Sequence, residues 1–248
     1  MPIAGSETPA VALVVAASLA VGYVPILLGV SLTPALARLE QAERTLIDGL
    51  IFGALLFLFA DFLSLTANLG VGAVDLAWRG TLLLAFAGGI VAFAVLERRG
   101  GGSPARLAVW WAVGIGLHSL AEGIVVGHNL TLGLAEAFRL LPLIGFVVHK
   151  LVEGVSVAAL LARGRLQGLP LQILTASIAA LPLTAGALLG AARLGGQASS
   201  VFYALGAGTV AFILPAFAVS RSRQPAAWTV AGAVGFLFIA VAALLHEL

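Results

Sequence analysis

Apolar residues run through this chain in blocks, not in the alternation of a half-buried strand or the narrow stripe of a surface helix. Each block is about twenty residues long, the length an α-helix needs to cross the hydrocarbon core of a bilayer. Breaks at Arg, Pro, Gly or acidic clusters predict eight such helices, over residues 9–31, 45–68, 79–97, 107–128, 139–162, 170–192, 199–220 and 227–247. RRGGGSPAR, residues 98–106, is the clearest loop. The opening stretch MPIAGSETPAVALVVAASLA lacks the positive leading region of a signal peptide and reads as the approach to the first helix. No stretch is long and polar enough for a soluble domain, so residues 1–248 read as a single transmembrane domain: an all-α integral membrane protein.

Composition agrees. The chain is 61% hydrophobic and only 10% charged, against roughly 25% charged in a soluble domain. It has no cysteine, and its one methionine is residue 1, which removes disulfides and the soft ligands that copper(I) prefers. The net charge of +2 comes from arginines scattered at segment ends, so no nucleic-acid partner is expected.

Those arginines set an orientation. Connections 1–2, 3–4, 5–6 and 7–8 hold nine of them (Arg38, Arg44, Arg98, Arg99, Arg106, Arg163, Arg165, Arg221 and Arg223), while Arg79, Arg139 and Arg193 lie on the opposite side. Cytoplasmic loops are the arginine-rich ones, so with an even number of spans both termini are expected to be extracytoplasmic in a multi-pass protein of the cell (inner) membrane. Trp78 is expected at the outer interface, and Trp110, Trp111 and Trp228 at the inner one.

Six ionisable residues remain inside the spans: Asp61, His118, Glu122, His149, Lys150 and Glu153. A charge at a helix centre costs about 2.5–3.5 kcal/mol even on lenient scales, so each needs a reason. The stretches HSLAEGIVVG, from residue 118, and HKLVEGVSVA, from residue 149, share the pattern H-x-x-x-E-G. Residues four apart lie on one helical face, so each helix points an imidazole and a carboxylate the same way. An internal hydrogen bond would explain one such pair. Two matching pairs on antiparallel neighbours favour a shared ion site of nitrogen and oxygen ligands, suited to zinc, iron(II), manganese, cobalt or nickel. Asp61 is a candidate further ligand or the partner of Lys150. Counting Asp61, Glu122 and Glu153 against Lys150 leaves a net −2 that one divalent ion would cancel. Gly123 and Gly154, after the glutamates, allow close helix approach. Ser119 is a candidate pathway residue, although hydroxyls in such helices usually bond back to their own backbone. His128, Asn129, Glu136 and Arg139 are placed at the outer connection, where His128 and Glu136 are candidates for collecting metal.

Together these residues resemble the ZIP (Zrt/Irt-like) family of divalent metal transporters, in particular its prokaryotic branches. Members typically carry H-N-x-P-E-G in the fourth helix and a related motif in the fifth; here these read HSLAEG and HKLVEG. FLFADFLSLT in the second span, GAGTVAFILP in the seventh and the ending LLHEL extend the resemblance along nearly the whole chain. It implies a ZIP-like bundle of eight helices whose first and last three are related by inversion. It also implies that His118, Glu122, His149 and Glu153 bind the transported metal, with Asp61 a further ligand. The chain departs from the pattern at Ser119, where many members have asparagine, and at Ala121 and Val152, in place of prolines. Lys150 stands where an acid often helps hold a second metal, which casts it as a counter-ion or second-site substitute.

The function expected is transport of a divalent transition metal, zinc first and then iron or manganese, toward the cytoplasm by alternating access. The metal would be the substrate, no cofactor is expected, and the partners would be the ion and the lipid bilayer, with a homodimer allowed for. Rival readings are a proton- or sodium-coupled transporter of another solute, which leaves the paired histidines unexplained, and a non-transporting scaffold. An intramembrane metalloenzyme is a third rival, but the order H-x-x-x-E lacks the H-E-x-x-H spacing of zinc proteases, so no enzymatic activity is expected.

Overall fold

A computed structural model describes residues 10–70, 76–100, 103–133, 140–192, 196–219 and 224–247. Among the described residues every regular element is helical, and eight helices are long and apolar enough to cross a membrane. They are α1 (Val11–Arg38), α2 (Gln41–Gly70), α3 (Leu76–Gly100), α4 (Pro104–Leu132), α5 (Leu140–Arg163), α6 (Leu169–Ala191), α7 (Gly196–Ala218) and α8 (Pro225–Glu247). The number of helices matches the hydropathy pattern, but several ends extend past it. Helix α1 reaches Arg38, because Pro34 at the start of a last short segment continues it after the turn at Leu32. Within α1 the backbone widens to a π-helical turn over Leu19–Tyr23. This turn lies just before Pro25, which has no N–H to give Val21 and whose ring would crowd a regular α turn.

The arginine-bearing ends do meet. Arg44 Nε and Nη2 donate to the carbonyls of Leu39 and Ala37 at 2.8 and 2.9 Å, satisfying acceptors left open where α1 stops. The Glu40 N–H donates to Glu43 Oε2 at 2.8 Å, one half of a capping box at the start of α2. Helix α5 ends in a Schellman turn: Arg165 takes φ 54°, and Leu166 N–H donates to the Leu161 carbonyl at 3.0 Å. A Cβ at Gly164 would touch Pro104, so the end of α5 adjoins the start of α4 and the two run antiparallel. Arg139, Arg193, Arg221 and Arg223 lie outside the described residues.

The packing falls into two groups. Helices α1, α4, α5 and α6 pack together, most extensively α4 on α6, and α2, α3, α7 and α8 form the second group; α7 against α4 and α8 against α5 join the two. Polar ties within the first group are Ser18 Oγ to Thr184 Oγ1 at 3.0 Å, Tyr23 with Ser177 at 3.2 Å, and Trp111 Nε1 to Ser156 Oγ at 2.6 Å. Aromatic contacts recur in the second, with Phe57 on Phe236 and Phe93 on Phe212. Exchanging helix 1 with 6, 2 with 7, 3 with 8 and 4 with 5 maps the α4–α6 contact onto α5–α1, and α2–α8 onto α7–α3. These contacts pair under that exchange, whereas α7–α4 and α8–α5 have no equally extensive counterpart.

The glycines of the two motifs sit at matching places in that pattern. A Cβ at Gly123 would run into the Leu183 carbonyl of α6, and one at Gly154 into the Ile26 carbonyl of α1, with Gly29 Cα 3.0 Å away. Backbone meets backbone at both crossings, as small residues permit in membrane bundles. Gly154→Ala is expected to destabilise the bundle by about 1–3 kcal/mol through overpacking. Gly80→Ala, where nothing lies within 4 Å of the added methyl, should be neutral or slightly stabilising. Denaturation in detergent that separated the two variants by less than their measurement error would contradict the close crossing.

Candidate metal site

His118 and Glu122 are on α4, and His149, Lys150 and Glu153 on α5, all within unbroken helix. One ligand atom from each of His118, Glu122, His149 and Glu153 lies within 4.8 Å of the other three. The pairing crosses between helices. His118 donates through Nε2 to Glu153 Oε1 at 2.5 Å, and His149 Nε2 donates to the same oxygen at 2.7 Å. His149 Nε2 also stands 3.6 Å from Glu122 Oε1. Because an ionised carboxylate only accepts, both imidazoles must present Nε2–H to Glu153. His118 Nδ1 is then a buried acceptor with no hydrogen-bond partner.

Lys150 is enclosed with no exposed surface, and its ammonium occupies the other side of both carboxylates. Nζ donates to Glu153 Oε2 at 2.9 Å and to Ser119 Oγ at 3.0 Å, and abuts Glu122 Oε2 as an ion pair. The carboxylates thus give one oxygen each to the lysine and turn the other toward the histidines.

Such a donor set fits a borderline divalent ion. Neighbouring ligands around zinc, bound at about 2.0–2.2 Å, sit roughly 3.3–3.5 Å apart. The His149–Glu122 separation of 3.6 Å is near that value, and the two shorter His–Glu contacts need to open by a fraction of an ångström. An arriving ion would trade two hydrogen bonds to Glu153 for coordination.

The surroundings hold these side chains still. The Phe62 ring of α2 lies 4.3 Å from the His118 ring, and Phe146 lies 6.2 Å from His149. On α7, Gly206 leaves room for the His118 Cβ, which a side chain there would strike. Ser156 accepts from Trp111 and donates to the Glu153 carbonyl at 2.6 Å, tying α4 to α5 just beyond the site.

The other residues singled out in the sequence fall in different places. Asp61 is half-buried on α2 and does not join the four-residue group among the described residues. Without it, two carboxylates and one ammonium leave −1, so a divalent ion would bring the site to +1 and not to neutrality. His128 and Asn129 are on helix and not in a connection, because α4 continues to Leu132; His128 is exposed there. Glu136 lies outside the described residues. Ser119 accepts a hydrogen bond from Lys150 at 3.0 Å, beside the four-residue group. Trp111 is fully buried against Ser156 and is no interface anchor. Phe62, Trp111, Ser156 and Gly206 were missed as site residues. A signal existed for two of them: Trp111 precedes His118 by seven residues and Ser156 follows His149 by seven, two turns along the same faces.

No protein-family model matches the chain, and no curated protein matches it. The chemistry of the site and the resemblance carried by its two motifs are therefore the basis for a functional reading.

Proposed function

We propose that the protein carries a divalent transition metal across the cell (inner) membrane toward the cytoplasm, as members of the ZIP family do, with zinc the first candidate and iron(II) or manganese next. The observation behind this is the convergence of four ligand atoms from α4 and α5 within 4.8 Å, in a bundle of apolar helices. Buried ionisable groups in such helices are expensive and mark ion pathways. His118, Glu122, His149 and Glu153 bind the ion, and Lys150 is a tethered counter-ion that keeps the metal-free carboxylates tolerable. In this reading Lys150 also fills the place a second ion would need, so one metal moves at a time. Carriage follows from alternate opening of the site to either side. Both termini are extracytoplasmic, which makes the arginine-rich end the inner one.

Proteoliposomes offered zinc, iron(II) or manganese test the reading. Saturable uptake is expected for at least one ion, reduced at least about tenfold by His149→Ala, in keeping with the cost of perturbing a metal site. Folded, inserted protein that moves none of the three would point instead to a proton- or sodium-coupled carrier using the same buried acids.

A further inference from the structure

The ends of the site are not equally closed. The side chains of His149 and Glu122 are 14% and 7% exposed, whereas Glu153 and Lys150 are sealed. His149 precedes Glu153 by one turn, so the partly exposed groups lie toward the Leu140 end of α5. Toward the other end the same face of α5 continues through Ser156, Val157 and Leu160, all essentially inaccessible. They meet Trp111, Leu55 and Phe217 in one continuous buried cluster. Beyond this buried plug is a cavity of about 190 Å³, which Asp48, Ala159 and Arg163 help line.

Arg163 lines that cavity and bridges the two helix groups. It lies ten residues beyond Glu153, about 15 Å along α5. Its Nη2 donates to Asp48 Oδ1 of α2 at 2.6 Å and its Nη1 to the Ala216 carbonyl of α7 at 2.7 Å, while the guanidinium sits 4.9 Å from the Phe217 ring centroid. The Ala216 carbonyl is available because α7 ends at Ala218, and the last four carbonyls of a helix have no intrahelical donor. One side chain at the end of the site-bearing helix therefore grips two helices of the opposite group and covers a ring of the plug.

We propose that Arg163 is a latch: its hold on Asp48 and on the α7 backbone keeps the arginine-rich end shut, and its release lets the site open to that side. The latch rests on the alternating access of the proposed function, but its test needs no metal, so either can fail without the other. An ordinary structural ion pair would tie the same residues together without any link to the far end of the site. A latch couples the ends, since weakening it shifts the population from one opening to the other.

The chain has no cysteine, which allows single-cysteine reporters without background. Val157→Cys reports on the plug and Phe146→Cys on the His149 end, each in metal-free vesicles labelled by a small cationic methanethiosulfonate reagent from either side. Asp48→Asn, and separately Arg163→Gln, are expected to speed labelling of the Val157→Cys reporter at least about tenfold from the arginine-rich side, and to slow that of the Phe146→Cys reporter. Faster labelling at both reporters, faster labelling at the plug alone, or no change at either would overturn the proposal. Two variants acting from opposite partners guard against one that merely fails to fold.

Discussion

Glu153→Gln is expected to lower metal affinity and uptake by more than about 100-fold, since loss of a direct ligand should exceed the 10- to 100-fold cost of disturbing groups behind one. Glu153 is the hub of the site: Oε1 receives both histidines and Oε2 receives Lys150. Glutamine keeps the shape and one acceptor, so the histidines can stay in place. Its amide N–H₂, however, turns a donor toward the Lys150 ammonium, itself a donor with no acceptor capacity. Lys150 retains Glu122, so the fold should survive with a loss smaller than the roughly 3–5 kcal/mol seen when a buried charge loses its whole partner. Titration calorimetry and proteoliposome uptake on the same preparation would check both halves. Binding within about threefold of wild type, a difference under 1 kcal/mol, would remove Glu153 from the metal site.

Lys150→Met is expected to act in the opposite sense on binding. Methionine fills much of the same volume without the charge, leaving Glu122 and Glu153 facing each other unneutralised inside the bundle. Breaking such a pair costs about 3–5 kcal/mol, so the metal-free protein should melt well below wild type. A divalent ion that neutralises both carboxylates should then restore more stability than it adds to the wild type; at 100 times its Kd a single ion contributes about 2.7 kcal/mol. The readout is the metal-induced shift in Tm, together with the number of ions bound per chain, expected to rise from one toward two. Unchanged melting, stoichiometry and affinity would mean that Lys150 is not the counter-ion of this site.

The origin of the site is visible in how far local patterns reach. The spacing of His118 to Glu122 and of His149 to Glu153 placed each pair on one helical face, and the fold puts all four residues in one cluster. Yet only His149 bonds to its own motif partner. His118 reaches across to Glu153, because the close crossings at Gly123 and Gly154 and the space left by Gly206 set how far the helices turn toward each other. No periodicity within one helix encodes that rotation. Asp61 shows the same limit: its place within a span was clear, whereas its distance from α4 and α5 depends on how α2 packs. Trp111 was misplaced for a related reason. A tryptophan near a span end suits the interface, and only the neighbouring Ser156 hydroxyl makes a buried indole N–H acceptable.

Features that depend on one helix at a time could be read from the chain alone. These are eight apolar stretches of crossing length, the segregation of most arginines to alternate connections, the residue types able to bind a borderline divalent ion, and the face on which each pair lies. Which faces meet depends on the packing of whole helices. It joined His118 to Glu153, enclosed Lys150 between two carboxylates, left Asp61 outside the four-residue group, and carried Arg163 onto Asp48 and the α7 backbone. The physical reason is that hydropathy and helical period are properties of local chain, whereas ligand geometry and latching depend on helix rotation and offset. Those are fixed by close contacts between residues far apart in sequence, such as Gly123 with α6 and Gly154 with α1.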